Sequence, residues 1–180
     1  GAENALGGVA QAYADNIPIL ILPGGVSLSE LAVQPNYSVS QNYPGVVKRV
    51  EAIYRPDQVV AVMRRAFNAL RNGSPGPVAV ELIADVCAMQ ATEHIDQYLP
   101  PPTIKQLPDS LDIRDAVQAL LVAKRPLLWA GAGVLAAEAT SDLKDLAELA
   151  AIPVFTTMPG KSAFDERHAL ALGAGAGTTT

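Results

Sequence analysis

Cysteine, histidine, aromatic residues and charge are all scarce in this chain. One cysteine, Cys87, stands among 180 residues, so no intramolecular disulfide framework can form. It follows the apolar run Val78-Ala79-Val80-Glu81-Leu82, where a small, semi-buried filler is expected. A catalytic thiol needs a nearby base and a depressed pKa. The two histidines, His94 and His168, have no acid or thiol at a telling spacing, which disfavours both a Cys–His pair and a zinc site. Charged residues make up 17% of the chain and sum to −5, so no basic field is offered to nucleic acid or to an anionic membrane. No uninterrupted apolar run reaches the ~20 residues of a membrane span. No basic, apolar leader opens the chain, and a cytosolic setting is expected.

What is abundant is aliphatic. With 49% hydrophobic residues the chain can bury a substantial core and does not read as disordered. It opens on a small-residue helix, 1–15, that runs straight into the apolar strand Ile17–Leu22. Parallel α/β units are normally built strand first, so the chain is expected to be part of a larger protein. Gly24-Gly25 stop the strand, and 26–45 form a long polar excursion of the kind that is usually functional. Order returns at Val46–Ile53. Arg55-Pro56-Asp57 introduce a helix with Val59, Met63, Ala66, Phe67 and Leu70 on one face, ended by Asn72-Gly73. Strand Val78–Leu82 follows. Lys48-Arg49 and Arg64-Arg65 read as solvated basic pairs. Residues 91–111, with Pro100-Pro101-Pro102 and Pro108, read as a linker. A second α/β unit then comprises helix Ile113–Ala123, strand Pro126–Ala130, a glycine turn, helix Glu138–Ala150, strand Pro153–Thr157 and a glycine-rich tail to Gly177.

Two patterns suggest chemistry. Gly131-Ala132-Gly133-Val134-Leu135-Ala136 fits G-x-G-x-x-G/A between a strand and a helix, a turn that lets a phosphate approach backbone at a helix N-terminus. A nicotinamide-binding unit also wants an acid at the end of the next strand, and Thr156-Thr157 stand there instead. A turn required for geometry alone, and a flavin or nucleotide site without the acidic clamp, both remain open. Asn4 could cap the first helix, with Glu3 complementing its dipole.

In chain order, Gly-x-x-Asn-x-x-x-Gly-x-x-x-Ala at 1–12, Pro18 with an apolar run to Gly24, Gly76-Pro77-Val78 with Glu81 and Asp85-Val86, Ala123-Lys124-Arg125-Pro126, Ala130-Gly131-Ala132-Gly133-Val134, Ile152-Pro153-Val154, Thr156-Thr157 and Gly160-Lys161 resemble one family. It is that of the thiamine-diphosphate-dependent 2-oxoacid decarboxylases and carboligases, the large subunit of acetolactate synthase above all. The resemblance implies an α/β fold with parts of two parallel-sheet domains. Residues 1–90 would be the back of a pyrimidine-binding domain, 91–111 a linker, and 112–180 the front of a Rossmann-like central domain. It implies that Gly1 closes a Gly-Pro-Gly turn and that Asn4 reaches the cofactor across a dimer interface. Gln34 or Gln41 would stand in for a Phe-Gln pair facing the active site. Gly131, Gly133 and Thr157 would lie in loops that hold FAD in some relatives. The activating glutamate and the segment binding magnesium and diphosphate would lie outside this chain, which then carries no catalytic residue of its own and should be inactive alone. The implied parent takes a small 2-oxoacid as substrate and is a homodimer or homotetramer. The rival expectations are a non-catalytic flavin- or nucleotide-binding module and a degenerate structural subunit.

Overall fold

The computed structural model describes residues 1–90 and 98–175. His94, the first part of the predicted linker and the end of the glycine-rich tail therefore lie outside the described residues. The chain divides into two compact units, Gly1–Gln106 and Leu107–Thr180. Each contains a three-stranded parallel sheet, so the predicted α/β class holds.

In the first unit α1 (Ala2–Ala14) precedes β1 (Leu20–Ile21). A single 3-10 turn (Leu28–Glu30) and the short α2 (Val39–Asn42) lead to β2 (Arg49–Ile53). Then come α3 (Val59–Arg71) and β3 (Val78–Leu82). The sheet order is β1-β3-β2, with Leu20 and Arg49 both in register with Val78. Strand β1 is shorter than the predicted Ile17–Leu22: its pairing with β3 starts at Ile19 O, is interrupted at Pro23, which has no N–H to donate, and resumes at Gly24 and Gly25.

Alternation along β3 organises the core. Val78 and Val80 face α3, where they pack with Val62, Ala66 and Ile53. Ala79 faces the other way, into a cluster with Val9 of α1, Val39 and Tyr43. Both faces of β3 are covered, as a parallel sheet requires. Of the stripe expected on α3, Val59, Met63, Ala66 and Leu70 form this interface and Phe67 does not, while Val62 is an additional buried member.

Lys48 is not the solvated residue that its basic neighbourhood suggested. Its Nζ turns inward and donates to the carbonyl oxygens of Ala69 (2.5 Å) and Asn72 (2.6 Å). These carbonyls lie at the C-terminal end of α3, where a cation is favoured. Burial pushes the Lys48 ammonium pKa down. Arg65 likewise finds a partner: it and Arg49 both hydrogen-bond Glu51. Burial alone would push the Glu51 carboxyl up, but the hydrogen bonds from Arg65 and Arg49 hold it below the usual carboxylate range.

In the second unit α4 (Ser110–Val122) starts earlier than predicted, because the Asp109 carboxylate accepts from Leu111 N–H at 2.7 Å and caps it. After β4 (Leu128–Ala130) comes the single short α5 (Ala132–Ala136). The helix predicted from Glu138 begins only at Thr140, as α6 (Thr140–Ala150), because Glu138 adopts φ +56 and breaks the run. Strands β5 (Val154–Thr156) and β6 (Ala171–Ala174) complete the order β4-β5-β6. Ala130, Val154, Ala147 of α6 and Phe164 form the core on one face.

Candidate functional site

In the first unit the region of interest is the start of α1. Gly1 is the residue that caps it, and no side chain closes the helix end. Asn4 is therefore not the cap that the sequence allowed. It occupies the third helical position with its side chain in solvent, while Glu3 sits in the first turn as expected. No atom lies within 4 Å of where a side chain on Gly1 would start.

The first turn is fastened from behind. Tyr43 is fully buried, and its hydroxyl donates to the carbonyl oxygen of Ala2 at 2.7 Å. Burial pushes the Tyr43 hydroxyl pKa up, with Tyr37 and Glu3 adding to the shift. Tyr37 packs into the same cluster, and its hydroxyl is buried without a hydrogen-bond partner. A buried polar atom without a partner is uncommon and marks a place where a further polar group fits.

The 26–45 segment is anchored at several points. Gly25 N–H donates to Leu82 O at 2.8 Å, and Leu28 N–H donates to the Asp85 carboxylate at 3.1 Å. Glu81, only 4% exposed, accepts from both Val39 N–H and Ser40 N–H at 3.1 Å. Gln34 and Gln41 belong to this segment. Both are exposed, and Gln34 Oε1 accepts from Asn36 N–H within its own turn. Sequence reasoning missed Tyr43, Tyr37 and the anchoring role of Glu81. The available signal was a carboxylate in the otherwise apolar strand Val78–Leu82.

Cys87 is also corrected. It is exposed, on a 3-10 turn, not semi-buried. It borders an apolar cavity of about 300 Å³ lined by Leu22, Ile53, Met63, Leu82 and Met89, at the carboxyl ends of all three strands. Open parallel sheets commonly receive ligands at that end.

In the second unit the loops after β4 and β5 meet. Thr157 N–H donates to Ala130 O at 2.9 Å, and Thr157 Oγ1 accepts from Gly160 N–H at 3.1 Å. A Cβ on Gly160 would stand 2.7 Å from the carbonyl carbon of Gly131, so only glycine fits there. Gly131 and Thr157 are thus brought together: a Cβ on Gly131 would lie 3.8 Å from Thr157 Oγ1. A Cβ on Gly133 would meet nothing within 4 Å. Neither Gly131 nor Gly133 has a positive φ. Local geometry therefore requires glycine at 160 but neither at 131, where a Cβ would make an ordinary contact, nor at 133, where the open space suits a ligand approaching the backbone.

Other parts of the G-x-G-x-x-G/A expectation are weaker in the structure. The helix after the turn has five residues, and Ala136 is exposed. Thr156, at the acid position, is buried. His168 does have an acidic partner, twenty residues away in sequence: its Nε2 lies 3.0 Å from Glu148 Oε1. Its Nδ1 accepts from Leu170 N–H, so the pair ties α6 to the start of β6. Among the described residues no group of three or more His, Cys, Asp or Glu could hold a metal ion. No helix among them is long and apolar enough to cross a membrane.

Each of the two parallel-sheet units carries a glycine at its candidate site, Gly1 in the first and Gly133 in the second, where a Cβ would meet nothing within 4 Å. The family described as thiamine pyrophosphate enzyme, central domain, matches residues 113–180. The probable acetolactate synthase large subunit of Methanocaldococcus jannaschii is 34% identical over 96% of this chain and 30% of its own length. The glyoxylate carboligase of Escherichia coli O157:H7 is 33% identical over 90% of this chain and 28% of its own. A crystal structure from Mycobacterium smegmatis, assigned to the thiamin diphosphate-dependent enzymes, superposes with a TM-score of 0.78. It is 24% identical and covers 97% of this chain and 34% of its own, which speaks to the fold alone. The thiamine-diphosphate-dependent enzymes are thus the family that the chain resembles in both units, through the acetolactate synthase large subunit and, over residues 113–180, through the family's central domain. The chain spans less than a third of the length of these curated relatives.

Proposed function

We propose that this chain is part of a thiamine-diphosphate-dependent enzyme that decarboxylates a 2-oxoacid and joins the product to a second carbonyl compound, with acetolactate synthesis as the first choice. The observation that carries the reading is a match to the acetolactate synthase large subunit running through both units. A free-standing flavin module would need only the second unit, and is not favoured.

In this reading residues 1–90 contribute to a pyrimidine-binding domain and 112–180 to a central domain, joined by the 91–111 linker. Thiamine diphosphate supplies the carbanion chemistry when bound. The chain's own part is to hold and orient. Gly1 gives the ligand close access to the first turn of α1, and the free Asn4 amide hydrogen-bonds it. The unpartnered Tyr37 hydroxyl beside that turn supports a polar group being received there. Gly131, Gly133 and Thr157 would hold FAD through backbone approach, for which the open space at Gly133 speaks. No magnesium ligand is assigned to any side chain here. The exposed glycines on α1, Gly7 and Gly8, would let a second subunit approach closely in a homodimer or homotetramer. The parent is placed in the cytosol, where an exposed thiol such as Cys87 stays reduced.

The test uses the full-length protein. Carbon dioxide release from pyruvate, with acetolactate formed and both dependent on added thiamine diphosphate and magnesium, is the expected result. A full-length protein that binds no thiamine diphosphate and turns over neither pyruvate nor glyoxylate overturns it. The 180-residue chain alone is expected to show no turnover in the same assay.

A further inference from the structure

Glu81 is a carboxylate on the core-facing side of β3, in the same alternation as Ala79. Such a group is costly to bury unless its oxygens are well satisfied. Its four donors all come from the start of α2: Val39 N–H and Ser40 N–H at 3.1 Å, Ser38 Oγ at 3.3 Å and Ser40 Oγ at 2.5 Å. An anion at a helix N-terminus is also favoured by the helix dipole. Gly25 closes the other end of the segment over the same side chain: a Cβ there would lie 3.2 Å from Glu81 Cγ. One residue after α2, Tyr43 donates to Ala2 O in the first turn of α1. Glu81 therefore holds α2, α2 places Tyr43, and Tyr43 holds the turn that carries Asn4.

We propose that Glu81 and Tyr43 are positioning residues, which set the first turn of α1 for ligand contact without touching the ligand themselves. This rests on the reading that Asn4 meets thiamine diphosphate. The chain of contacts is continuous, and its middle link is a rigid helical turn anchored on the central strand of the sheet. The buried Tyr43 hydroxyl needs an acceptor in any case, and the one it has is the carbonyl of the turn that carries Asn4.

Calorimetric titration of full-length protein with thiamine diphosphate, alongside melting temperature, tests this. Tyr43→Phe keeps the buried ring and is expected to weaken binding about fivefold, the equilibrium worth of one typical hydrogen bond. Glu81→Gln should weaken it more, with Glu81→Asp partly restoring affinity. Lys48→Met, which removes the side-chain bonds at the end of α3 and none of the contacts from Glu81 to Ala2, should lower the melting temperature while leaving the affinity as it is. If Glu81→Gln does not fold, Ser40→Ala removes the shortest of its bonds and takes its place. Wild-type affinity in Tyr43→Phe, or affinity that falls in all variants in proportion to lost stability, overturns the proposal while the cofactor reading stands. A wild-type protein that binds no thiamine diphosphate overturns both.

Discussion

The two units use the same architecture and finish it differently. In the first, β3 is covered by α3 on one face and by α1 and α2 on the other, and its residues from Val78 to Glu81 are buried. In the second, α6 and Phe164 cover one face only. The alternation puts Trp129, Phe155 and Leu172 on the other face, where Trp129 is 65% and Leu172 59% exposed. Helix α4 carries an apolar stripe and has no buried residue at all. Burial of both faces is what makes parallel pairing stable. The first unit should therefore hold most of the stability, and the second should tend to associate through its uncovered surface.

The largest expected contrast comes from paired truncations. Ile83→Ala in the first unit should cost about 2–5 kcal/mol, because Ile83 is fully buried. Trp129→Ala in the second should cost about 1 kcal/mol or less in urea unfolding, since most of the ring is already solvated. Trp129→Ser should also reduce association in light scattering. Equal losses from the two truncations would mean that the second unit's sheet is covered in solution.

Gly160→Ala should cost about 1–3 kcal/mol, confined to the melting of the second unit. The new methyl would meet backbone, which cannot swing away as a side chain could. A silent substitution would show that the loops after β4 and β5 are held less closely than described.

The smallest effect is a pH dependence of the first unit. The folded pKa of Glu51 lies below its ordinary 4.5, so its bonds to Arg65 and Arg49 contribute fully above that value. The contribution is lost as pH falls through the folded pKa. It should amount to about 1 kcal/mol or less, given that both arginines are exposed. Glu51→Gln should flatten the acid limb of the first unit's stability curve. An unchanged limb would assign acid sensitivity to other carboxylates.

Much of this was readable from the chain. The span of β3 was predicted residue for residue, because Gly76-Pro77 and the run Val78–Leu82 give both an entry turn and an uninterrupted strand. The face of α3 was readable from its 3.6-residue period. Strand ends were less so: Ile17 precedes the ladder and Leu22 stands where Pro23 interrupts it, and hydropathy does not report hydrogen bonding. The break between α5 and α6 hinges on the positive φ of Glu138, which no local residue preference announces. At the candidate site the glycines and Asn4 were nameable, whereas the contacts behind them were not. Tyr43 to Ala2 and Glu81 to Ser40 each span about forty residues, and such pairings exist only once the sheet has formed.

Trp129 and Cys87 have a use that neither burial nor hydrogen bonding suggests. Each is the only residue of its type in the sequence, and they lie in different units. Both side chains are exposed, the tryptophan against Phe155 at a ring-centre distance of 6.1 Å and the thiol on its short turn. A chromophore attached to the thiol would receive energy from a single, unambiguous donor. The transfer efficiency would read the distance between the two units in solution without any engineered residue. Tryptophan emission alone would shift to shorter wavelength whenever something covers the second sheet.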